Sequence, residues 1–378
     1  MASGDQVVMQ PAARRPPLRV ALVGGLHVGI ETAFRNVVSA AELDPGVDAL
    51  VMGIDSYEAD RIERWLPFLP ASTRAHLRYI AGTRSLFTMS RPDAVWAHLD
   101  ISLLPWMLTR NVRGAVPLVY ATDSTPRQVR AFGHYGRWGG RSDRKFRLRD
   151  SLYGLFVRRA AALQVWTNWA RRSLRDDYGV PAERIHVLPP GLDTSFWTPA
   201  ELEAPRPVPR TLFVGGDFQR KGGDLLLDVY RQRFRGRIEL HLVTRRGIIA
   251  QEPGVEVHRG LRPNDGSLRR LYRRSDVLVI PTRADCFSMA GLEAMACGLP
   301  VITCPVGGVA ELLTDGREGF FVPTDDERAL GDALEALVSD PARRRRMGAA
   351  ARKLAIERYD GTTNTRRLLA LIAVVARG

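Results

Sequence analysis

Two carboxylates with a fixed spacing lie in the second half of the chain. Asp285 and Glu293 are separated by seven residues within the segment DVLVIPTRADCFSMAGLEAMACGLPVITCPVGGVAELL, residues 276–313. A carboxylate accepts hydrogen bonds from ligand hydroxyls, and it also stabilises positive charge that develops in a transition state. Both acids can then face one ligand across the N-terminus of the helix that follows Asp285.

The residues around these two acids predict a βαβ unit. An apolar run at 277–280 is a buried parallel strand, Ser288 is a good N-cap for the following helix, and Gly298 ends that helix. Residues 301–303 form the next strand. Asp285 then lies in the loop before the helix and Glu293 about one turn into it, where α/β sheets bind anionic ligands. The alternative is a packed unit with one helix-dipole carboxylate and one solvated carboxylate.

A glycine-rich loop with two cations precedes this unit. The loop GGDFQRKGG follows a predicted strand at 211–214 and contains Gly215, Gly216, Arg220 and Lys221. Glycines let backbone amides approach a phosphate, and the two cations compensate charge on a diphosphate as it leaves. Almost all other basic residues of this chain are arginine, so a lysine at this position indicates that the site needs a compact point charge. Solvated loop cations are the alternative.

The first half of the chain shows the same alternation of strands and helices. A strand at 18–23 runs into the loop GGLHVGI, which does not meet the GxGxxG dinucleotide pattern. A later strand at 117–121 delivers Asp123 to a loop at its carboxyl end, where function is concentrated. A helix N-cap or turn acid is the other interpretation of Asp123. Residues 127–149, rich in arginine and aromatic residues, predict a lid over a sugar or an anionic acceptor, or a solvated surface helix.

Composition limits the classes of partner. The net charge is +14, but the basic residues are spread along the whole chain without a nucleic-acid-binding motif, so we expect no nucleic-acid partner. A basic surface suits an anionic substrate and could attract the protein to an anionic membrane. The N-terminus lacks an apolar signal segment, and three cysteines show no metal-ligand pairing. We expect a cytoplasmic protein, with peripheral contact at the inner face of the membrane as a hypothesis.

The order of the predicted elements divides the chain into domains of the α/β class. We predict a disordered N-terminus at 1–17, a first Rossmann-like domain at 18–198, a proline-rich linker at 199–210 and a second Rossmann-like domain at 211–355. Each domain is predicted to hold a doubly wound parallel sheet. A last helix at 356–378 completes the chain.

Several of these motifs resemble the family 4 glycosyltransferases of the GT-B fold. The resemblance rests on the spacing of the two acids with Phe287 between them, on LEAMACGLPVI at 292–302, and on WxxxSLRDDYGVPxxRIHVLPPGLDxxxWxP at 169–199. In that family two glutamates occupy the acid positions, so Asp285 is one methylene shorter. An arginine is common where this chain has Gly216, and Arg220 is our candidate for the missing guanidinium.

The resemblance implies a fold and an activity. The two Rossmann-like domains face each other across a cleft, and the last helix crosses back onto the first domain. The implied enzyme is a retaining, metal-independent, hexosyltransferase-like glycosyltransferase without a cofactor. It moves a sugar from a nucleotide-diphosphate-sugar donor to a hydroxyl of a glycan, lipid or small-molecule acceptor.

The resemblance also distributes roles over this chain. It implies Asp285, Lys221, Glu293 and Asp123 as catalytic residues, with Glu293 on the ribose hydroxyls of the nucleotide and Asp285 on the donor sugar. The implied donor-binding residues are Gly29, Gly215, Gly216, Arg220, Lys221, Phe287, Ser288, Met289, Ala290 and Glu293. Two other functions stay open: a sugar-nucleotide epimerase of GT-B fold, and a non-catalytic basic module that binds membrane or nucleic acid.

Overall fold

Two parallel sheets of six strands form the part of the protein that the structure describes. The structure, a computed structural model, describes residues 16–26, 30–54, 91–98, 116–135, 143–200, 208–245 and 252–378, and the single positions 74, 77, 81, 86 and 103. Gly29 and most of the predicted N-terminal and linker segments lie outside these residues.

The first sheet has the strand order β2-β1-β3-β4-β5-β6, with every neighbouring pair parallel. The inner strands at 94–98, 118–122 and 162–165 are buried throughout, as expected for a sheet covered on both faces, whereas the edge strand at 47–54 is partly exposed. The strands are β1 (Leu18–Gly25), β2 (Val47–Ile54), β3 (Ala94–His98), β4 (Leu118–Thr122), β5 (Ala162–Val165) and β6 (Ile185–Val187).

The second sheet has the order β12-β11-β10-β7-β8-β9, again with parallel neighbours. The chain order reverses between β7 and β10, and such a switch point leaves a crevice at the carboxyl ends of the strands. The strands are β7 (Arg210–Val214), β8 (Glu239–Val243), β9 (Val255–His258), β10 (Val277–Ile280), β11 (Val301–Thr303) and β12 (Gly319–Phe321).

Helices connect the strands and cover the sheets. Those of the first half are α1 (Ile30–Glu42), α2 (Pro126–Ala131), α3 (Asp143–Arg159) and α4 (Asn168–Asp176). Those of the second half are α5 (Gly223–Val229), α6 (Gly266–Arg273), α7 (Met289–Ala296), α8 (Glu327–Val338), α9 (Pro341–Tyr359) and α10 (Gly361–Arg377). None of the described helices is both long enough and apolar enough to cross a membrane.

The last helix returns to the first sheet. Leu368 and Ile372 of α10 pack in the same apolar cluster as Phe34 of α1 and Trp96 of β3. The α/β class, the two doubly wound parallel sheets and the returning helix are therefore confirmed.

Two predicted boundaries shift. Arg210, assigned to the linker, is the first residue of β7 and pairs with Glu239 of β8. The last helix begins after Asp360 rather than at residue 356. Asp360 separates α9 from α10, because its carboxylate accepts the backbone N–H of Thr363 at 2.8 Å and so caps α10.

Candidate active site

The loop between β10 and α7 lies at the reversal of strand order and carries the first of the two acids. Ser288 caps α7, since its hydroxyl accepts the backbone N–H of Gly291 at 3.1 Å. This predicted cap is confirmed. The helix N-terminus therefore faces the crevice with partial positive charge, next to the loop that carries Asp285.

Lys221 and Asp285 form an ion pair across this crevice. The ammonium of Lys221, in the loop after β7, donates to Oδ2 of Asp285, in the loop after β10. The two side chains are only 15% and 8% exposed. Burial lowers the pKa of Lys221, and the neighbouring charge of Arg220 lowers it further, while Asp285 raises it. The loops that the sequence singled out separately thus share one charged centre.

Asp123 approaches the same centre from the first sheet. It follows β4, is half-buried, and accepts a hydrogen bond from the hydroxyl of Ser124 at 2.8 Å. Burial raises the pKa of Asp123 to about 6, and the negative charge of Asp285 also raises it. The structure therefore brings three of the four predicted catalytic side chains together from three loops and two sheets.

Arg220 connects the site loops to the first half of the chain. Its guanidinium donates to the carbonyl oxygen of Ala284 at 2.7 Å and to the hydroxyl of Tyr135 at 3.2 Å. The guanidinium also lies 4.6 Å from the centre of the Tyr135 ring, and its Nε donates to Asp217 at 3.3 Å. Through these contacts Arg220 holds the two loops and Tyr135 together. Its role in binding a diphosphate stays a prediction.

The glycines of the β7 loop leave no room for larger residues except at one position. A Cβ at Gly215 would lie 2.8 Å from the Phe213 ring, and one at Gly222, which has a φ of +74°, would collide with the carbonyl oxygen of Pro281. A Cβ at Gly216 would be only in ordinary contact with the side chain of Arg245, 3.5 Å from its Cδ. The exposed side chain of Arg245 therefore passes over Gly216.

Glu293 is a separate buried carboxylate. Its Oε2 accepts the hydroxyl of Tyr272, from α6, at 2.8 Å, and Glu293 is 5% exposed. Burial raises the pKa of Glu293 to about 7, which the hydrogen bond from Tyr272 offsets in part. Within the described residues Glu293 makes no hydrogen bond to Lys221 or Asp285, so it is not part of their cluster.

The other predicted donor-binding residues on α7 and its loop are used mostly in packing. Phe287 lies edge-on to Trp166 of the first domain, with ring centres 5.7 Å apart. Met289 is buried at 7% exposure, whereas Ala290 is half-buried. Phe287 thus contributes to the seam between the domains, and its contact with a donor stays a prediction.

Glu311 closes the seam next to this site. Its carboxylate, from the second domain, accepts the backbone N–H groups of Asn168 and Trp169 at 2.9 Å and 2.7 Å. These are the first two residues of α4 in the first domain, so the acid of one domain caps a helix of the other.

Two family descriptions match the chain on either side of the linker. Residues 34–196 match "Glycosyltransferase Family 4", and residues 208–340 match "Glycosyl transferases group 1". Together the two matches span more than half of the chain. The protein belongs to the family 4 glycosyltransferases of the GT-B fold.

Relatives of known name support this placement of the family 4 chain. A D-inositol 3-phosphate glycosyltransferase of Pseudarthrobacter chlorophenolicus is 34% identical over 214 residues, 51% of each chain. One from Geodermatophilus obscurus is 28% identical over 378 residues, 93% of this chain and 80% of the relative. The chain spans about half the length of the curated relatives that match it first, 48% and 51%.

Solved structures share the fold of this family 4 glycosyltransferase. Sucrose-phosphate synthase of Thermosynechococcus elongatus has a TM-score of 0.74 at 18% identity, covering 94% of this chain and 98% of that one. The Anabaena protein HepE, solved with UDP and glucose, has a TM-score of 0.68 at 14% identity, with 94% and 100% coverage.

Sequence reasoning missed four residues of this site in the family 4 chain. Arg245 lies over Gly216, and Tyr272 donates a hydrogen bond to Glu293. Tyr135 and Glu311 make hydrogen bonds between the two domains. No local pattern marks them, because their partners lie 21 to 143 residues away. The sequence pattern around Tyr135 predicts only a lid or a surface helix, without a partner for the tyrosine.

Proposed function

We propose that the protein transfers a sugar from a nucleoside-diphosphate-sugar to an acceptor hydroxyl, with retention of configuration at the anomeric carbon. The observation that carries the proposal is the meeting of Lys221, Asp285 and Asp123 at the switch point of the second sheet, beside the N-terminus of α7. Both acids and the cation come from loops at the carboxyl ends of strands, where α/β folds bind their ligands.

The donor's diphosphate is proposed to lie between the β7 loop and the N-terminus of α7. Breaking the bond between the anomeric carbon and the phosphate oxygen leaves negative charge on the diphosphate, which the Lys221 ammonium and the α7 backbone amides stabilise. Asp285 holds a hydroxyl of the donor sugar and stabilises positive charge at the anomeric carbon. Complexes of HepE with UDP and with UDP-glucose support a donor of this class.

Arg245 is proposed to supply a second cation to the diphosphate. Lys221 is already paired with Asp285 and Arg220 with Asp217, so these loops bring little uncompensated positive charge to a dianion. Arg245 is exposed, and its side chain lies over Gly216, the position at which the resembled family commonly has an arginine. A planar guanidinium can bind two phosphate oxygens at once.

Asp123 is proposed to take the proton of the acceptor hydroxyl as the hydroxyl oxygen attacks the anomeric carbon and the bond to the diphosphate breaks. A carboxylate with a pKa of about 6 is ionised at neutral pH yet basic enough to share a proton. The new bond forms on the face that the phosphate leaves, as retention requires. The acceptor enters from the first domain, where Asp123 lies.

A groove of the first domain is our candidate for the binding site of a negatively charged acceptor. An open groove of about 660 Å³ lies between α2 and α3, lined by Arg127, Arg130, Ala131, Phe146, Arg147 and Asp150. Arg127 is paired with Asp150 at 2.8 Å, and Arg130 stacks on the Phe146 ring at 4.1 Å. The relatives named for an inositol phosphate support a phosphate-bearing acceptor.

A donor screen tests the function. The full chain is incubated with a panel of sugar nucleotides, with and without hydroxyl acceptors that carry or lack a phosphate, and nucleotide release and product are measured. We expect release that depends on an acceptor and yields a glycoside of retained configuration. Acceptor-independent release of free sugar and nucleotide would identify an epimerase instead, and no turnover of any donor would favour a binding module.

A further inference from the structure

Two histidines and a glutamate meet at the edge of the second sheet, outside the site described above. His241 lies on β8, and Glu256 and His258 lie on the edge strand β9. Glu256 is directly opposite His241 in the parallel register, and His258 is opposite Val243. The alternation of side chains along a strand places all three on one face of the sheet.

The ring nitrogens converge. His241 Nδ1 is 2.8 Å from His258 Nε2, and the two rings are tilted by only 11° with centres 5.1 Å apart. Glu256 places one carboxylate oxygen 3.5 Å from His241 Nδ1 and the other 3.6 Å from His258 Nδ1. Three potential ligand atoms therefore lie within 4.8 Å of one another.

The inner nitrogens, His241 Nδ1 and His258 Nε2, face each other, and the outer nitrogens, His241 Nε2 and His258 Nδ1, face carboxylates. His241 Nε2 lies 3.7 Å from Glu239, and His258 Nδ1 faces Glu256. A neutral imidazole has one N–H and one lone pair. If both outer nitrogens carry the N–H toward their carboxylates, the two inner nitrogens present lone pairs to each other. If one inner nitrogen carries the N–H, one outer lone pair faces a carboxylate. A cation between the inner nitrogens removes both conflicts.

We propose that His241, Glu256 and His258 bind a divalent transition metal, with Zn²⁺ the best match. Two imidazole nitrogens and a carboxylate are a common zinc donor set, and they leave the fourth position to solvent. A tetrahedral site requires the two nitrogens to separate to about 3.3 Å. Glu256 and His258 can make this adjustment, because their side chains are 64% and 17% exposed.

The surroundings of the cluster support a metal site. Glu239, which faces the outer nitrogen of His241, is held by Arg210 at 2.7 Å. A fixed carboxylate behind a ligating imidazole orients the ring and raises its basicity. The metal would fasten the edge strand β9 to β8. The backbone N–H of Thr244 donates to the carbonyl oxygen of His258 at 3.3 Å. The proposed metal site therefore lies close in the fold to Arg245, the next residue along the chain.

Zinc titration of the full-length protein, after treatment with a chelator, tests the proposal. We expect one Zn²⁺ per chain by calorimetry and a rise of a few degrees in Tm at micromolar zinc. E256Q keeps the size of an exposed side chain and should weaken zinc binding at least tenfold. H258A should abolish it. H186A removes a half-buried histidine of the first domain and should bind zinc as the wild type does.

Far-UV circular dichroism and Tm without metal show that each variant is folded before its affinity is compared. Zinc binding of unchanged stoichiometry and affinity in both H258A and E256Q would overturn the proposal, since the metal would then lie elsewhere. Wild-type protein that neither binds zinc nor gains stability would also overturn it, leaving a histidine pair that shares only a proton.

Discussion

Lys221 and Asp285 form an ion pair that joins the loops after β7 and β10, 64 residues apart in the chain. The opposite charges of the two largely buried side chains compensate each other. A diphosphate and a sugar hydroxyl would draw the two side chains apart, each toward the group of opposite charge or hydrogen-bonding character. The following predictions examine this centre and its supports.

K221A is expected to lower kcat/KM for glycosyl transfer at least 100-fold, because the proposed function gives the Lys221 ammonium the role of stabilising the departing diphosphate. It also leaves Asp285 buried without its partner, so the free energy of unfolding should fall by about 3 kcal/mol. Steady-state kinetics and urea unfolding measure the two effects. R328A, which removes a guanidinium that is 92% exposed, is the matched control. A K221A enzyme with turnover like that of R328A would contradict the assignment.

Transfer is expected to lose activity as the pH falls through about 6, since Asp123 has a pKa of about 6 and only its ionised form is basic enough to take the proton of the acceptor hydroxyl. The sign follows from the raised pKa: below it the carboxyl is protonated and neutral. D123N should be slower throughout and should lack this acid limb. A pH profile of D123N that keeps the limb near 6 would assign the titration to another group.

Y272F is expected to lower the free energy of unfolding by about 1–3 kcal/mol, because it leaves the buried Glu293 carboxylate without its donor. The pKa of Glu293 should rise further, since the lost hydrogen bond is the contact that lowers it. A double-mutant cycle with E293Q isolates the pair. Additive losses for the two changes would show that Tyr272 and Glu293 are not coupled.

E311A is expected to lower the free energy of unfolding by about 1 kcal/mol, as does the loss of other helix caps. Because the capped helix belongs to the other domain, the contact between the two domains should also weaken. Small-angle scattering should show a larger radius of gyration, and kcat/KM should fall. E357A, on the exposed face of α9, serves as the control. An unchanged radius in E311A would confine the contact to local stability.

R245A is expected to raise KM for the sugar nucleotide about tenfold with a smaller effect on kcat, since it removes a charged contact made in the bound state. Binding of the free nucleoside, which lacks phosphates, should be unaffected. Calorimetry with nucleoside and nucleoside diphosphate separates the two, with R328A again as control. Equal losses for both ligands would place Arg245 on the base or ribose instead.

Much of the architecture follows from neighbours in the chain. The strand at 277–280, the Ser288 cap and the glycine after α7 are local features, because they depend on residues a few positions apart. The same holds for the glycine loop at 215–223, where the turn needs a left-handed residue at Gly222. These local features predict the α/β class, and the resemblance of the motifs at 169–199 and 292–302 to family 4 glycosyltransferases supplies the family.

The hydrogen-bond partners and the pKa values of the site side chains depend on contacts between residues that are far apart in the sequence. Tyr135 and Ala284 accept hydrogen bonds from the Arg220 guanidinium, and the side chain of Arg245 lies over Gly216; the sequence around each residue records neither contact. The raised pKa of Asp123 arises from burial and from a charge in the other domain. Desolvation and Coulomb interactions act through space, so only the folded chain assigns them to particular residues.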